Sequence, residues 1–197
     1  MRAGGKEIEI KLAVPDLPAA RRRLHRQGFR VRQRRTFEDN VLYDTPEKML
    51  RRSGFLLRLR SAGGRHWLTF KGPAQESRRY KIRQECESEL SHPGAVRTVL
   101  ASLGMTPGFR YQKYRTVYRA PSKRQGGEVM LDETPIGTFL ELEGRRAWIR
   151  RVARALGKEP AQFISRTYAE LYVEWCRQQG QRPKHMVFSP SRRMRRR

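Results

Sequence analysis

The chain has 197 residues and a formal net charge of +25, because 44 Lys and Arg stand against 19 Asp and Glu. This length, with 37% hydrophobic residues, predicts one domain with a core, and the charge predicts a polyanionic partner such as nucleic acid, polyphosphate, a nucleotide or anionic lipid. The two cysteines are far apart, which argues against a disulfide framework, and the four histidines are scattered, which argues against a zinc site. No run of apolar residues approaches 18, so the sequence predicts no membrane span. The N-terminal segment lacks the apolar stretch of a signal peptide, so we expect a cytoplasmic protein.

Alternating apolar and polar residues, interrupted by Gly and Pro, predict about eight strands and a few helices. Short connections between strands favour antiparallel hairpins and the α+β class. The predicted elements are a strand at 7–14, a helix at 15–28, an extended segment at 29–44, a short helix at 44–54, a hairpin at 55–72, a strand at 77–90, a helix at 92–104, strands at 109–120, 127–133 and 138–144, and helices at 145–156 and 161–179.

The last residues are rich in Arg, which predicts a flexible basic tail over 180–197 after a domain at 1–179. Such a tail is a candidate for contact with RNA or polyphosphate without sequence specificity. Arginines also recur along the predicted helix at 145–156, where a solvated face is the simplest explanation. The sequence leaves open whether the protein is a monomer or a homodimer.

The first strand, "KEIEIKL", places Glu7, Glu9 and Lys11 on one face and three apolar residues on the other. A wet, charged face is common in antiparallel sheets and would explain any single strand. Acids nevertheless recur two residues apart in later strands, and each such pair repels by on the order of 2 kcal/mol at an effective dielectric near 20. Clustered carboxylates suit a hard divalent cation, Mg²⁺ or Mn²⁺.

Basic residues lie on the same strand faces as the acids, and the positive and negative charges there are equal in number. A divalent cation and a triphosphate would together keep such a site near neutrality, since Arg binds phosphate oxygens in pairs and Lys acts as a point charge. The candidate metal ligands are Glu7, Glu9, Glu85, Glu87, Asp132, Glu141 and Glu143. The candidate phosphate ligands are Lys11, Arg58, Arg60, Lys71, Arg83, Lys113 and Arg115.

Eight motifs in order resemble the CYTH family, also called triphosphate tunnel metalloenzymes, over about residues 5–175. They are "EIEIK", "LYDTPEKMLRRSGFLLRLR", "TFKGP", "RQECE", "KYR", "LDE", "LELEG" and "SRTYAELY". The resemblance implies an eight-stranded antiparallel closed β-barrel with helices packed outside, so that the charged faces line a tunnel. It also implies that the acids bind metal, with Glu9, Glu141 and Glu143 foremost, and that the bases bind triphosphate.

The resemblance implies metal-dependent hydrolysis of a triphosphate, with inorganic tripolyphosphate favoured over thiamine or nucleoside triphosphates. Tyr43 and Lys71 match a Tyr–Lys pair considered for activating water, although strand packing and phosphate contact are simpler roles for them. The first alternative is a class IV adenylate cyclase that converts ATP to cyclic AMP. The second is a noncatalytic protein that binds polyphosphate or RNA.

Overall fold

The computed structural model describes residues 2–75, 77, 79–121 and 126–189. Within these residues, eight strands and five α-helices follow one another, with a 3₁₀ turn at Pro160–Gln162. The strands are β1 (Arg2–Ala13), β2 (Arg30–Asp44), β3 (Leu56–Ala62), β4 (Arg65–Lys71), β5 (Lys81–Leu90), β6 (Thr106–Arg119), β7 (Gly127–Thr134) and β8 (Gly137–Gly144). The helices are α1 (Leu17–Arg26), α2 (Met49–Arg52), α3 (Pro93–Ser102), α4 (Arg146–Ala155) and α5 (Tyr168–Gln178).

The strands close into a barrel in the order β1-β5-β4-β3-β2-β6-β7-β8, and all neighbouring pairs are antiparallel. The period of two therefore sends one face of each strand outward and the other into the lumen. This confirms the predicted α+β fold, an eight-stranded closed antiparallel barrel with helices outside.

The main core lies between the barrel wall and the helices α1 and α4. Ile10 and Leu12 of β1 are fully buried on the outward face and join a cluster with Leu24 of α1 and Trp148 of α4. Gly127 permits the close approach of the indole, because a Cβ atom there would lie 2.5 Å from the Trp148 ring. These contacts show why the apolar half of each alternating strand faces outward, away from the lumen.

Helix α5 begins later than the sequence predicted. The predicted helix at 161–179 is wrong over its first part, where Ile164 pairs with Lys11 at the free edge of β1 through backbone hydrogen bonds of 2.8 and 2.9 Å. The helix starts only after Thr167, whose hydroxyl and backbone N–H form a reciprocal capping box with Glu170. Edge pairing takes precedence over helix formation here because the strand edge offers partners for the backbone.

The segment after α5 also packs on the barrel. Met186 is fully buried and exchanges backbone hydrogen bonds with Arg110 and Gln112 of β6, at 3.0 and 2.8 Å. Phe188 packs against Tyr114 with ring centroids 5.3 Å apart and the ring planes tilted by 45°. The segment 181–189, which the sequence assigned to the tail, is therefore in contact with the domain as far as Phe188, whereas residues 190–197 lie outside the described residues.

The part of the chain that the structure describes has no helix long and apolar enough to cross a membrane.

Helix α3 covers the wall of the barrel opposite α4, where its Leu100 packs with Tyr43 and Leu59.

Candidate functional site

The inward faces of the strands line a cavity of about 1290 Å³. Every residue that the sequence proposed for the site contributes to its lining except Asp132, which is fully buried. The barrel thus brings together acids and bases that lie up to 136 positions apart in the sequence, from Glu7 to Glu143. The chemical roles of these residues stay predictions.

Three carboxylates and one ammonium group meet where β1, β4 and β5 adjoin. Lys71 Nζ lies 2.6 Å from Oε2 of Glu7 and 3.2 Å from Oε2 of Glu85. Burial, followed by repulsion from Glu9, raises the pKa of Glu7 to about 7, although Lys71 opposes the shift. The Lys71 ammonium thus bridges the Glu7 and Glu85 carboxylates at this corner of the lumen.

A chain of ion pairs continues from this corner along β1 to β8. Lys11 Nζ lies between two carboxylates, 3.2 Å from Glu9 Oε1 and 3.3 Å from Glu141 Oε1. Lys81 Nζ is 2.7 Å from the same oxygen of Glu9. Burial alone would raise the pKa of Glu9, but Lys11 and Lys81 hold it well below its ordinary value, so this carboxylate is ionised.

Asp132 anchors the most deeply buried part of the network. It accepts hydrogen bonds from Lys113 Nζ at 2.9 Å, from Arg115 Nε at 2.6 Å and from the Tyr168 hydroxyl at 2.8 Å. Arg115 also donates to Glu141. Burial and the Asp132 charge raise the pKa of Tyr168 well above its ordinary value, so its phenol remains a donor.

The arginines of β3 and β5 have unused donors. Arg58 donates to the Tyr111 hydroxyl and to Thr69 Oγ1, both at 3.1 Å, and Arg60 donates to Glu87 at 2.9 Å. The Nε atoms of Arg58, Arg60 and Arg83 are nevertheless buried without a hydrogen-bond partner. A buried donor without an acceptor is unfavourable, and an anion in the cavity would satisfy it.

Tyr43 lies at the edge of the cavity but packs outward with Leu59 and Leu100. In the described part of the chain its hydroxyl has no hydrogen-bond partner, and no hydrogen bond joins it to Lys71. The outward packing matches the simpler structural role that the sequence left open for this residue, and its catalytic role stays a prediction.

The residues that line the lumen but were not proposed from the sequence include Glu38, Lys81, Tyr111 and Tyr168. Glu38 is buried 3.6 Å from Lys113 Nζ. Lys81 and Tyr111 lie two residues before Arg83 and Lys113, which were proposed for the site, so extending the strand period would have found both. Tyr168 enters from helix α5, and its sequence signal is its place in the motif "SRTYAELY", which resembles the closing segment of the family.

The lumen carboxylates fit a divalent cation in chemistry, since they are hard oxygen donors. One cation, the Lys11 ammonium, already bridges Glu9 and Glu141, and burial together with repulsion from Glu9 raises the pKa of Glu7 to about 7. Among the described residues, however, no three His, Cys, Asp or Glu side chains stand close enough to hold a metal ion in this arrangement. Binding a cation would therefore require side chains to leave their present ion pairs.

Known proteins are similar to this chain in sequence or in structure. A protein of Methanocaldococcus jannaschii named "Putative adenylate cyclase MJ0240" is 25% identical over 176 residues, which cover 84% of this chain and 97% of that protein. The Pyrococcus horikoshii protein PH1819 is 25% identical, with a TM-score of 0.71 over 85% of this chain and 98% of its own.

A third similar structure comes from Hippeastrum. The protein HpAC1, named a "putative adenylyl cyclase" and described as having a dominant triphosphatase activity, is 19% identical, with a TM-score of 0.57 over 90% of this chain and 97% of its own. At this identity the likeness shows the fold alone. The CYTH domain profile, in contrast, matches residues 5–189, nearly the whole described chain. The chain therefore belongs to the CYTH domain family.

Proposed function

We propose that this protein hydrolyses a triphosphate in the barrel lumen with the help of a divalent cation, and that inorganic tripolyphosphate is its favoured substrate. The observation that carries the proposal is the set of three buried guanidinium Nε donors, on Arg58, Arg60 and Arg83, that lack acceptors in a cavity lined with acids. Phosphate oxygens are the acceptors that such forks bind best.

The bases of the lumen would bind the phosphate chain. Arg83 has no carboxylate within 4 Å among the described residues, so it is the base most available to a substrate. Arg58 and Arg60 share Glu87 as their ion-pair partner. Lys11, Lys113 and Arg115 are tightly paired with acids, and they would contribute mainly positive potential that stabilises charge on the departing phosphate.

The acids would hold Mg²⁺ or Mn²⁺, with Glu9, Glu141 and Glu143 as the foremost candidates and Glu7, Glu85, Glu87 and Asp132 as further ones. When bound, the cation supplies neutralisation of phosphate charge and polarisation of a phosphoryl oxygen. Asp132 is the least accessible of the set, because Lys113, Arg115 and Tyr168 already occupy its oxygens. We infer that Asp132 mainly positions these basic neighbours.

In hydrolysis, water attacks the terminal phosphorus of tripolyphosphate, the bridging P–O bond breaks, and phosphate and pyrophosphate leave. Lys71 is a poor base for that water as it stands. Burial would lower the pKa of Lys71, but Glu7 and Glu9 outweigh burial and raise it, so the side chain is an ammonium. The phosphate contact is therefore the better-supported role of Lys71, and proton transfer through Tyr43 and Lys71 remains a prediction to be tested.

The deciding experiment is a substrate panel with Mg²⁺ and Mn²⁺. Phosphate release from tripolyphosphate, thiamine triphosphate and ATP is measured beside cyclic AMP formation from ATP. We expect tripolyphosphate to have the highest kcat/KM. Failure of every triphosphate to turn over with either metal would contradict the proposal.

The names of two similar proteins favour a second candidate, adenylate cyclase, in which the ribose 3′-hydroxyl of ATP is the attacking group. It would show cyclic AMP as the main product of ATP. A noncatalytic polyphosphate or RNA binder is the third, and it would show affinity for these polyanions, weakening steeply with salt, without turnover.

A further inference from the structure

A second charged surface lies outside the barrel, on helix α4. The buried face of this helix carries Trp148, Ile149 and Val152, among others, whereas each of its exposed residues is Arg or Ala. Three of the exposed arginines and two alanines line a shallow depression of about 510 Å³. Its lining residues are Ala147, Arg150, Arg151, Arg154 and Ala155.

Helix α1 lies beside α4 and extends the basic surface. The guanidinium of Arg23 donates a 2.8 Å hydrogen bond to the carbonyl of Leu156, which joins the ends of the two helices. Leu24 packs into the same core as the buried side of α4. We call the exposed arginines of both helices, apart from Arg23 with its bond to Leu156, the α1–α4 arginine face. Its members are Arg22, Arg26, Arg146, Arg150, Arg151 and Arg154.

Acids are absent from the sequence around this face. Residues 17–37 and 144–158 contain no Asp or Glu. Within the described chain, Arg22, Arg26, Arg150 and Arg154 have no carboxylate within 4 Å. Arginines at 146, 150 and 154 also repeat every four residues, and like charges at this spacing destabilise a helix by a few tenths of a kcal/mol each. Solubility alone would be served by mixed charges, so the arrangement favours an external polyanion.

We propose that the α1–α4 arginine face binds the phosphate backbone of a nucleic-acid duplex. Successive turns of α4 place arginines about 6 Å apart, and α1 adds further arginines beside them, which forms a broad and open surface. A duplex presents closely spaced phosphates on two strands, whereas a linear polyphosphate would need only one row of arginines. The alanines between the arginines of α4 let a backbone approach, and arginine contacts to phosphates carry no sequence information, so we expect binding that is independent of sequence.

The test measures the affinity of the full-length protein for a fluorescent 20-base-pair RNA duplex across a salt series. The variant carries Arg150→Glu and Arg154→Glu, both exposed and outside the lumen. We expect at least about tenfold weaker binding and a salt slope lower by about two, one for each lost phosphate contact. Thermal unfolding of each variant verifies that the fold is retained.

The matched control reverses the same charge on other surfaces, with Arg97→Glu of α3 and Arg177→Glu of α5, which are both exposed. It should bind the duplex like the parent protein. Equal weakening in both variants would mean that only net charge matters and would overturn the proposal.

Two further arms separate other sources of binding. A variant with serine in place of the arginines at 192–197 measures how much these residues contribute to duplex binding. The proposal would be overturned if that variant lost duplex binding while the α4 variant bound the duplex as tightly as the parent protein. Long-chain inorganic polyphosphate is the other probe, and an α4-dependent affinity for polyphosphate in the absence of duplex binding would also overturn it.

Discussion

The phenol of Tyr168 donates a 2.8 Å hydrogen bond to Oδ2 of Asp132, which connects the first turn of α5 to the most buried carboxylate of the barrel. Because the acceptor is an ion, Tyr168→Phe should destabilise the protein by roughly 1.5–3 kcal/mol. Urea unfolding measures this free energy. Tyr172→Phe, on the same helix but without contact to Asp132, is the control, and an equal loss in both variants would contradict a specific role for the bond.

Tyr43→Phe tests the predicted catalytic role of Tyr43. The ring keeps its packing against Leu59 and Leu100, so we expect the free energy of unfolding to change by less than about 0.5 kcal/mol. If the hydroxyl helps to activate water, kcat for tripolyphosphate falls by about 100-fold or more. Steady-state kinetics decide the matter, since an unchanged kcat leaves Tyr43 with a packing role only.

Glu9→Gln tests the proposed metal ligand. Turnover should fall by at least about 100-fold, and the Mg²⁺ concentration for half-maximal rate should rise. The variant also leaves Lys11 and Lys81 short of a counter-charge, so it should lose roughly 3 kcal/mol of stability, and the assay must run at a temperature where it is folded.

The control for Glu9→Gln is Glu89→Gln, which removes an exposed carboxylate paired with Arg65. Its rate and metal requirement should equal those of the parent. A Glu9→Gln variant that retains both would exclude Glu9 from the metal site.

Arg83→Ala and Arg115→Ala should separate substrate binding from structural pairing. Arg83 has no carboxylate within 4 Å in the described chain, so its loss should lower kcat/KM for tripolyphosphate by about 10- to 100-fold at nearly unchanged stability. Arg115 neutralises Asp132 and Glu141, and its loss should cost about 3–5 kcal/mol. Steady-state kinetics and urea unfolding of both variants test these two predictions. A lower free energy of unfolding for Arg83→Ala than for Arg115→Ala would contradict them.

Glu7 should make the metal-free protein less stable as the pH rises. Its pKa is raised from 4.5 to about 7 in the folded state, so the folded protein binds the extra proton and is favoured at low pH. That contribution is lost as the pH rises from 4.5 through 7, and it corresponds to at most roughly 3 kcal/mol.

The measurement for Glu7 is urea unfolding in EDTA at pH 5 and pH 8. Glu7→Gln should gain stability relative to the parent at pH 8 and much less at pH 5. An equal difference at both pH values would show that Glu7 does not titrate in this range.

Much of the site could be predicted from single strands. The alternation in β1 alone separates Glu7, Glu9 and Lys11 from the buried Ile10 and Leu12, because successive side chains on a strand point to opposite faces. The same rule, applied one step further along β5 and β6, would have included Lys81 and Tyr111.

Other features depend on partners distant in sequence. Residues 163–167 resemble the start of a helix, but the free edge of β1 holds Ile164 in an extended pairing. Met186 likewise occurs in a basic, proline-containing segment, and only the edge of β6 makes it a buried residue.

The sequence by itself determined which side chains share a face, the number of strands and the balance of acids and bases, because these depend on local spacing. Only the tertiary structure decided that the charged faces point into one lumen, that Lys11 lies between Glu9 and Glu141, and that three guanidinium donors there lack acceptors. Closure of the barrel brings strands that are remote in sequence around one cavity, and no local pattern specifies the distances between their side chains.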